Sequence, residues 1–266
     1  MFDAQSFFDL TRFAHAAVFD DITYCWQALP KLKDYLIAAT ADSPLRGCSH
    51  LGVPLPETLV LHRGKLFSGS GCDIEYGDAL KGKLLVRLEG SELEGASVIM
   101  AGAVLMGSAI VIGKGVLVES GALIKGPTVI GDRSEVRQGA YLRGNCLVGK
   151  RCVVGHTTEV KNSIFLDDAK AGHFAYLGDT ILGNEVNLGA GTKMANLRFL
   201  TGNVMVRGPE GAVDSGLRKL GAILGDRTQT GCNSVTSPGT IVGRDSLIMP
   251  NTTARSGYHP AKSVLR

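Results

Sequence analysis

The chain has 266 residues and a formal net charge of +3, from 28 basic and 25 acidic side chains, with 44% hydrophobic residues, 35 Gly and a single Trp. That balance excludes a disordered or collagen-like chain, allows one large core or two modest ones, and gives no electrostatic reason to expect nucleic acid as a partner. The six Cys (25, 48, 72, 146, 152 and 232) include no Cys-x-x-Cys pair, so they read as reduced core residues, not as a disulfide framework or zinc site.

The chain opens MFDAQSFFDL, acidic where a secretory signal is basic, so a cytoplasmic location is expected. Phe7, Phe8, Leu10, Phe13 and Ala16 follow helical spacing, and Trp26, Leu29, Leu32 and Leu36 do so again around Pro30. One or two amphipathic helices are therefore predicted within the first 45 residues. Residues 46–92 mix Gly and Pro with alternating runs such as TLVLHRGKLF and KLLVRLEG, the pattern of a few short strands. Residues 1–92 thus form an N-terminal segment. Its helices are expected as a lid on an open end of the domain that follows, or at an oligomer contact.

From Gly95 to Gly113 the chain reads GASVIMAGAVLMGSAIVIG, nineteen residues without a charge and long enough to span a membrane. A longer pattern decides against that. Stepping by six gives Met100, Met106, Ile112, Val118, Ile124, Ile130, Val136, Leu142, Val148, Val154 and Val160, all large and apolar. Small residues often follow them: Gly107, Gly113, Gly131, Gly149 and Gly155. Six is not a helical period; it is that of a β-helix, whose coils bury their apolar residues against one another. The uncharged stretch then reads as two or three flat strands, buried inside and lying against another subunit, with no membrane partner.

Beyond Val160 the phase slips to Phe165, Ala171 and Leu177, and again to Leu182, Leu188 and Met194. After a loop insertion at 197–223, longer than most connections in compact domains, it resumes at Leu224, Thr230, Thr236, Val242 and Ile248. This pattern resembles the left-handed parallel β-helix of the hexapeptide-repeat acyltransferases. The resemblance implies a mainly β fold, residues 93–266 as the β-helix domain, and three hexads to a triangular coil. About seven coils are expected over residues 95–255. A left-handed crossover is the exception to the usual rule for parallel connections.

Residues about 18 apart then stack. Arg143 and Lys161 follow Leu142 and Val160 in one slot, and His156 and His173 share another once the slip is counted. Tyr176 ends the His173 hexad. Like charges in a ladder need partners. Either neighbours such as Glu159 and Asp179 neutralise the two cations, or the pair forms an anion site flanked by a histidine.

The stretch KAGHFAYLGDTILGNEVNLGAGTKMAN (Lys170–Asn196), with YLRG at 141–144, TEVKNS at 158–163 and SGLRKLGAILGD at Ser215–Asp226, is more specific. It resembles the acetyltransferase part of the glucosamine-1-phosphate acetyltransferase / N-acetylglucosamine-1-phosphate uridylyltransferase family, in a stand-alone form. The resemblance implies acetyl-CoA as co-substrate and an amino-sugar phosphate as acceptor, in the service of UDP-N-acetylglucosamine biosynthesis. It implies His173 as general base, with an imidazole's ordinary pKa of about 6.5 suited to that work. Asn196 matches a position near the reacting acetyl group. Arg143, Lys161, Tyr176 and Asn187 match substrate-binding positions. The Gly189, Ala190 and Gly191 turn would face the thioester carbonyl through backbone N–H groups. Cys232 stands where the family offers CoA a serine, Pro250 falls near its alanine, and Lys219 lies two residues from the register of a further lysine. Ending at Arg266, the sequence also lacks the tail that helps to cover CoA in the family.

Uridylyl transfer would need a glycine-rich loop with a following basic residue, and FSGSGCD (67–73) is too short and lacks the lysine. A carbonic-anhydrase-type metal site would need a close histidine pair, which the histidines at 15, 50, 62, 156, 173 and 259 do not offer, so no metal is expected. A non-catalytic trimeric protein that binds a sugar phosphate or nucleotide sugar stands as the alternative. A homotrimer is expected because uncharged flat faces need cover, with loop 197–223 reaching across a subunit boundary.

Overall fold

The computed structural model describes residues 2–266. Its centre is a left-handed parallel β-helix with three faces. The first face runs through nine parallel strands from Ser97–Ile99 to Val264–Leu265. The second has eight, from Val104–Met106 to Thr253–Ala254, and the third eight, from Ile110–Ile112 to Gly257–His259. The prism is longer than the seven coils expected, because His259 pairs with Val242 and Leu265 with Ile248 beyond the last recognised hexad.

The stacking follows the hexads. Ile130 pairs with Val148, Val148 with Phe165 and Phe165 with Leu182, so the two slips are coils one residue shorter. Leu182 pairs directly with Leu224, so residues 197–223 are an excursion from an unbroken ladder. The first coil departs from the expected phase. Ile99 and Leu105 point inward, stacking on Val118 and Ile124, while Met106 is exposed. The interval from Leu105 to Ile112 holds one extra residue, which the run of apolar residues conceals in the sequence. The nineteen uncharged residues form one coil, in strands Ser97–Ile99, Val104–Met106 and Ile110–Ile112. No helix among the described residues is long and apolar enough to cross a membrane.

Corners need tight turns, and those between the second and third faces place Asn145, Asn162 and Asp179 at φ values of 52°, 46° and 51°. Asn and Asp tolerate this left-handed conformation because their short side chains hydrogen-bond locally. Gly155 is required for another reason: a Cβ there would collide with the Gly172 backbone on the next coil.

The N-terminal helices are no end lid. Only Ala4–Phe7 and a 3-10 turn at Ala16–Phe19 form in the first apolar run, and the second becomes the helix Ala28–Ala39. Pro30 sits in its first turn, where a missing N–H costs little. Trp26, Leu32 and Leu36 are buried with Leu147, Ile164 and Ile181, the outward residues of the third face. The end is closed by residues 43–62 instead: Leu45, Leu55, Leu59 and Leu61 join the prism interior, and Leu59–His62 pairs antiparallel to Ser97–Ile99. The antiparallel strands Cys72–Tyr76 and Leu84–Leu88 lie outside the first face, where Val86 is buried with Val98 and Leu117. The uncharged coil is therefore covered largely by its own chain. Within 197–223, strands Met205–Gly208 and Gly211–Asp214 form a hairpin. Val204 and Val206 are buried in the same cluster as Phe2 and Trp26, while Phe199 and Leu200 are exposed. The hairpin thus packs on its own chain. The second face and the upper first face are left open.

Candidate functional site

The ladder registers Leu142 with Val160, so Arg143 and Lys161 occupy one slot on adjacent coils of the second face, about 4.8 Å apart along the stack. Each has a carboxylate. Arg143 Nη1 donates to Glu159 Oε1 at 2.6 Å, and Lys161 Nζ lies 3.4 Å from Asp179 Oδ2. The first pair is exposed; the second is largely sheltered, with the Asp179 side chain only 9% exposed. The Glu159 hydrogen bond raises the Arg143 pKa further.

Asp179 organises the neighbourhood. Its Oδ1 accepts from Asn162 Nδ2 at 2.8 Å and its Oδ2 from Asn196 Nδ2. Tyr176 Oη is 3.5 Å from Asn196 Oδ1, and burial, then Glu159 and Asp179, push the phenol's pKa up. Gly178 lies opposite Lys161 on the next coil, and a Cβ there would collide with Asn196 Nδ2 and Tyr176 Oη. Its bare backbone lets these side chains converge. Leu197 pairs with Lys219, and Leu220 N donates to Asn196 O at 3.0 Å, so the base of the loop is tied beside Asn196.

His173 ends a strand of the first face, registered with His156. Phe174, at φ 52°, turns the corner to Tyr176. The imidazole is exposed, makes no hydrogen bond among the described residues, and has its ring centroid 6.3 Å from that of Phe174. His156 Nδ1 stands 3.0 Å from Gln138 O. Arg143 and Lys161 lie at the far edge of the second face, next to the Asn145 and Asn162 corners. The imidazole is thus one face-width from the cations, with Tyr176 reaching between.

The same corner continues upward through Gly189–Gly191, Cys232 and Pro250. Gly191 N donates to His173 O at 3.0 Å and Gly189 N to Thr230 O at 2.9 Å, so both donors hold coils together, and among the described residues Ala190 N–H is the open one in the turn. Cys232 is exposed; its carbonyl accepts from Asn251 N on the next coil, beside exposed Pro250. These residues lie along the corner above His173, where Cys232 and Pro250 are exposed.

Asn187 is elsewhere. It pairs with Lys170 on the first face and, with Asp168, Glu185 and Gln229, lines a polar concavity there. The chain gathers Arg143, Lys161, Tyr176 and Asn196, sets His173 at the adjoining corner, and leaves Asn187 on a different face from the cations. Sequence reasoning named Glu159 and Asp179 as counter-charges but passed over Asn162 and Gly178. Asn162 follows Lys161 at a corner and Gly178 falls in the cation slot, so the stacking arithmetic could have found both.

The model of the GMPPB C-terminal domain family matches residues 124–264. Among curated relatives, the chain is 40% identical over 97 residues to the bifunctional sugar-1-phosphate nucleotidylyltransferase/acetyltransferase of Sulfurisphaera tokodaii, covering 36% of this chain and 24% of that one. It is 43% identical over 97 residues to the bifunctional protein GlmU of Methanococcus maripaludis, covering 36% and 23%. The GlmU of Methanocaldococcus jannaschii is 42% identical over 95 residues, covering 36% and 23%. The chain spans about a quarter of the length of these relatives.

Proposed function

The chain belongs to the GMPPB C-terminal domain family, and from that premise we propose that it is an acetyl-CoA-dependent N-acetyltransferase acting on an amino-sugar phosphate such as glucosamine 1-phosphate. The observation that carries this reading is the gathering of Arg143, Lys161, Tyr176 and Asn196 around Asp179 on an open face, one face-width from the exposed His173. The names of the relatives, which include an acetyltransferase, support the reaction class.

In this reading the phosphate oxygens lie against the Arg143 guanidinium and the Lys161 ammonium, whose heads Glu159 and Asp179 hold in place. Tyr176 and Asn196 border the sugar. His173 takes the proton from the sugar amine as its nitrogen attacks the thioester carbonyl. Ala190 N–H is the turn's available donor to the developing oxyanion. The tetrahedral adduct then collapses with cleavage of the carbon–sulfur bond, the departing CoA sulfur takes up the proton held by His173, and the amide remains on the sugar. Cys232 and Pro250 border the rim along which CoA extends.

A homotrimer is part of the reading. The open second face of one subunit would meet the first face of the next, bringing the neighbour's Asn187 toward the cations, with the exposed Phe199 and Leu200 at the boundary. Thiol release from acetyl-CoA in the presence of glucosamine 1-phosphate tests the activity. Turnover that His173→Ala abolishes is expected. No turnover with any amino-sugar phosphate, or turnover indifferent to His173, overturns it.

A further inference from the structure

The cation slot does not stop at Arg143. Tyr141 pairs with Leu123 and Leu142 with Ile124, so Lys125 occupies the same slot one coil down, beside Met106 on the coil below that. Lys125, Arg143 and Lys161 thus form a column about two coil spacings, or roughly 10 Å, long. Their surroundings differ. Arg143 and Lys161 each face a carboxylate. Lys125 is half-buried and forms no ion pair or side-chain hydrogen bond among the described residues. Its ammonium lies over the Tyr141 ring, 5.4 Å from the centroid, and the Arg143 guanidinium lies over the same ring at 5.9 Å.

Stacked like charges are costly unless something opposes them. Glu159 and Asp179 offset the upper two cations, so the uncompensated charge of the column is at Lys125. A monophosphate seated between Arg143 and Lys161 would leave that charge unanswered one coil away. A second phosphoryl group, linked to the first and directed down the column, would meet Lys125 on the rim of the Tyr141 ring.

Building on the sugar-phosphate seat proposed above, we infer that Lys125 and Tyr141 form a second anion subsite, and that the acceptor is an amino sugar carried on a diphosphate, as in a nucleotide sugar. Tyr141, half-exposed, supplies an aromatic edge beyond the second phosphoryl group where the rest of such a ligand would lie.

Calorimetry with inorganic pyrophosphate and orthophosphate tests the subsite without depending on a particular base or on catalysis. Pyrophosphate should bind the native protein at least about tenfold more tightly, as an added charge-assisted contact would give. Lys125→Ala should bring the two ligands to within about threefold of each other, and Lys125→Arg should retain most of the preference. Equal binding of the two ions, binding of neither, or a preference that survives Lys125→Ala overturns the inference. Thiol release keeps the two proposals apart. If pyrophosphate preference depends on Lys125 but no amino sugar is acetylated, the acyl-transfer reading fails and the subsite stands. If glucosamine 1-phosphate is acetylated while pyrophosphate shows no preference, the subsite fails and the activity stands.

Discussion

Asp179 and Lys161 stand on adjacent coils, and the Asp179 carboxylate reaches back to place Oδ2 3.4 Å from the Lys161 ammonium while Oδ1 accepts from Asn162 at 2.8 Å. The carboxylate also accepts from Asn196 Nδ2, so one buried corner residue fixes three neighbours. Asp179→Ala leaves those donors unmatched and the Lys161 charge unopposed. It should lower stability by about 2–3 kcal/mol in denaturant unfolding. The same variant should weaken glucosamine 1-phosphate binding.

The bare backbone of Gly178 can be tested with a single methyl group. Gly178→Ala forces Asn196 and Tyr176 apart, a strain of about 1–3 kcal/mol by comparison with other overpacked sites. The expected result is a raised KM for the sugar phosphate, measured by thiol release, with CoA binding unaffected because the rim lies beyond the corner.

His173 is exposed, and its ring forms no hydrogen bond among the described residues. Its replacement by Ala should leave the melting temperature unchanged within about a degree, as for most surface substitutions. Acetyl transfer should nevertheless fall by about 10²–10⁴-fold, the usual contribution of a general base. A large loss of stability would instead assign the residue a structural role.

His15 gives the fold a pH dependence of known sign. Burial holds its pKa below the ordinary imidazole value, although nearby Asp167 pulls the other way, and its Nδ1 stands 2.8 Å from Tyr35 Oη. The folded state therefore favours the neutral ring. The stability it contributes is present above about pH 6.5 and is lost as the pH falls through that value towards the depressed folded pKa. Melting temperatures at pH 7.5 and 5.5 should differ more for the native protein than for His15→Gln.

The proposed trimer predicts that an acidic residue in the exposed Leu197–Leu200 stretch disrupts assembly. Light scattering should give a trimer mass for the native chain and a smaller species for Phe199→Asp. A native monomer would remove the trimer from the proposal and leave Asn187 without a role.

The hexad period made most of the prism legible, because an inward aliphatic residue at every sixth position has no other physical use. Its phase was lost at Met100 and Met106, where neighbouring residues are all apolar and inward and outward positions cannot be told apart. The pairing of Arg143 and Lys161 followed from the same arithmetic. The separation of Asn187 from them did not, since it shows only when Leu188 is assigned to the first face. Amphipathic spacing also announced that the Leu29, Leu32 and Leu36 stripe needed a partner. It carried no information that the partner was the outer flank of the third face, because that flank's outward residues are scattered along the chain.

The N-terminal strap ties distant parts of the ladder together. Phe2 and Phe7 rest against Tyr258, with centroids 5.7 Å and 6.2 Å apart, and Gln5 O accepts from Arg244, while the helix Ala28–Ala39 lies over Leu147 much lower on the stack. An array whose coils touch only their neighbours would fray from its extremities. This brace couples those coils, so the prism should melt in one cooperative step, and Phe2 and Phe7 reach their berth only after Tyr258 has emerged from the ribosome.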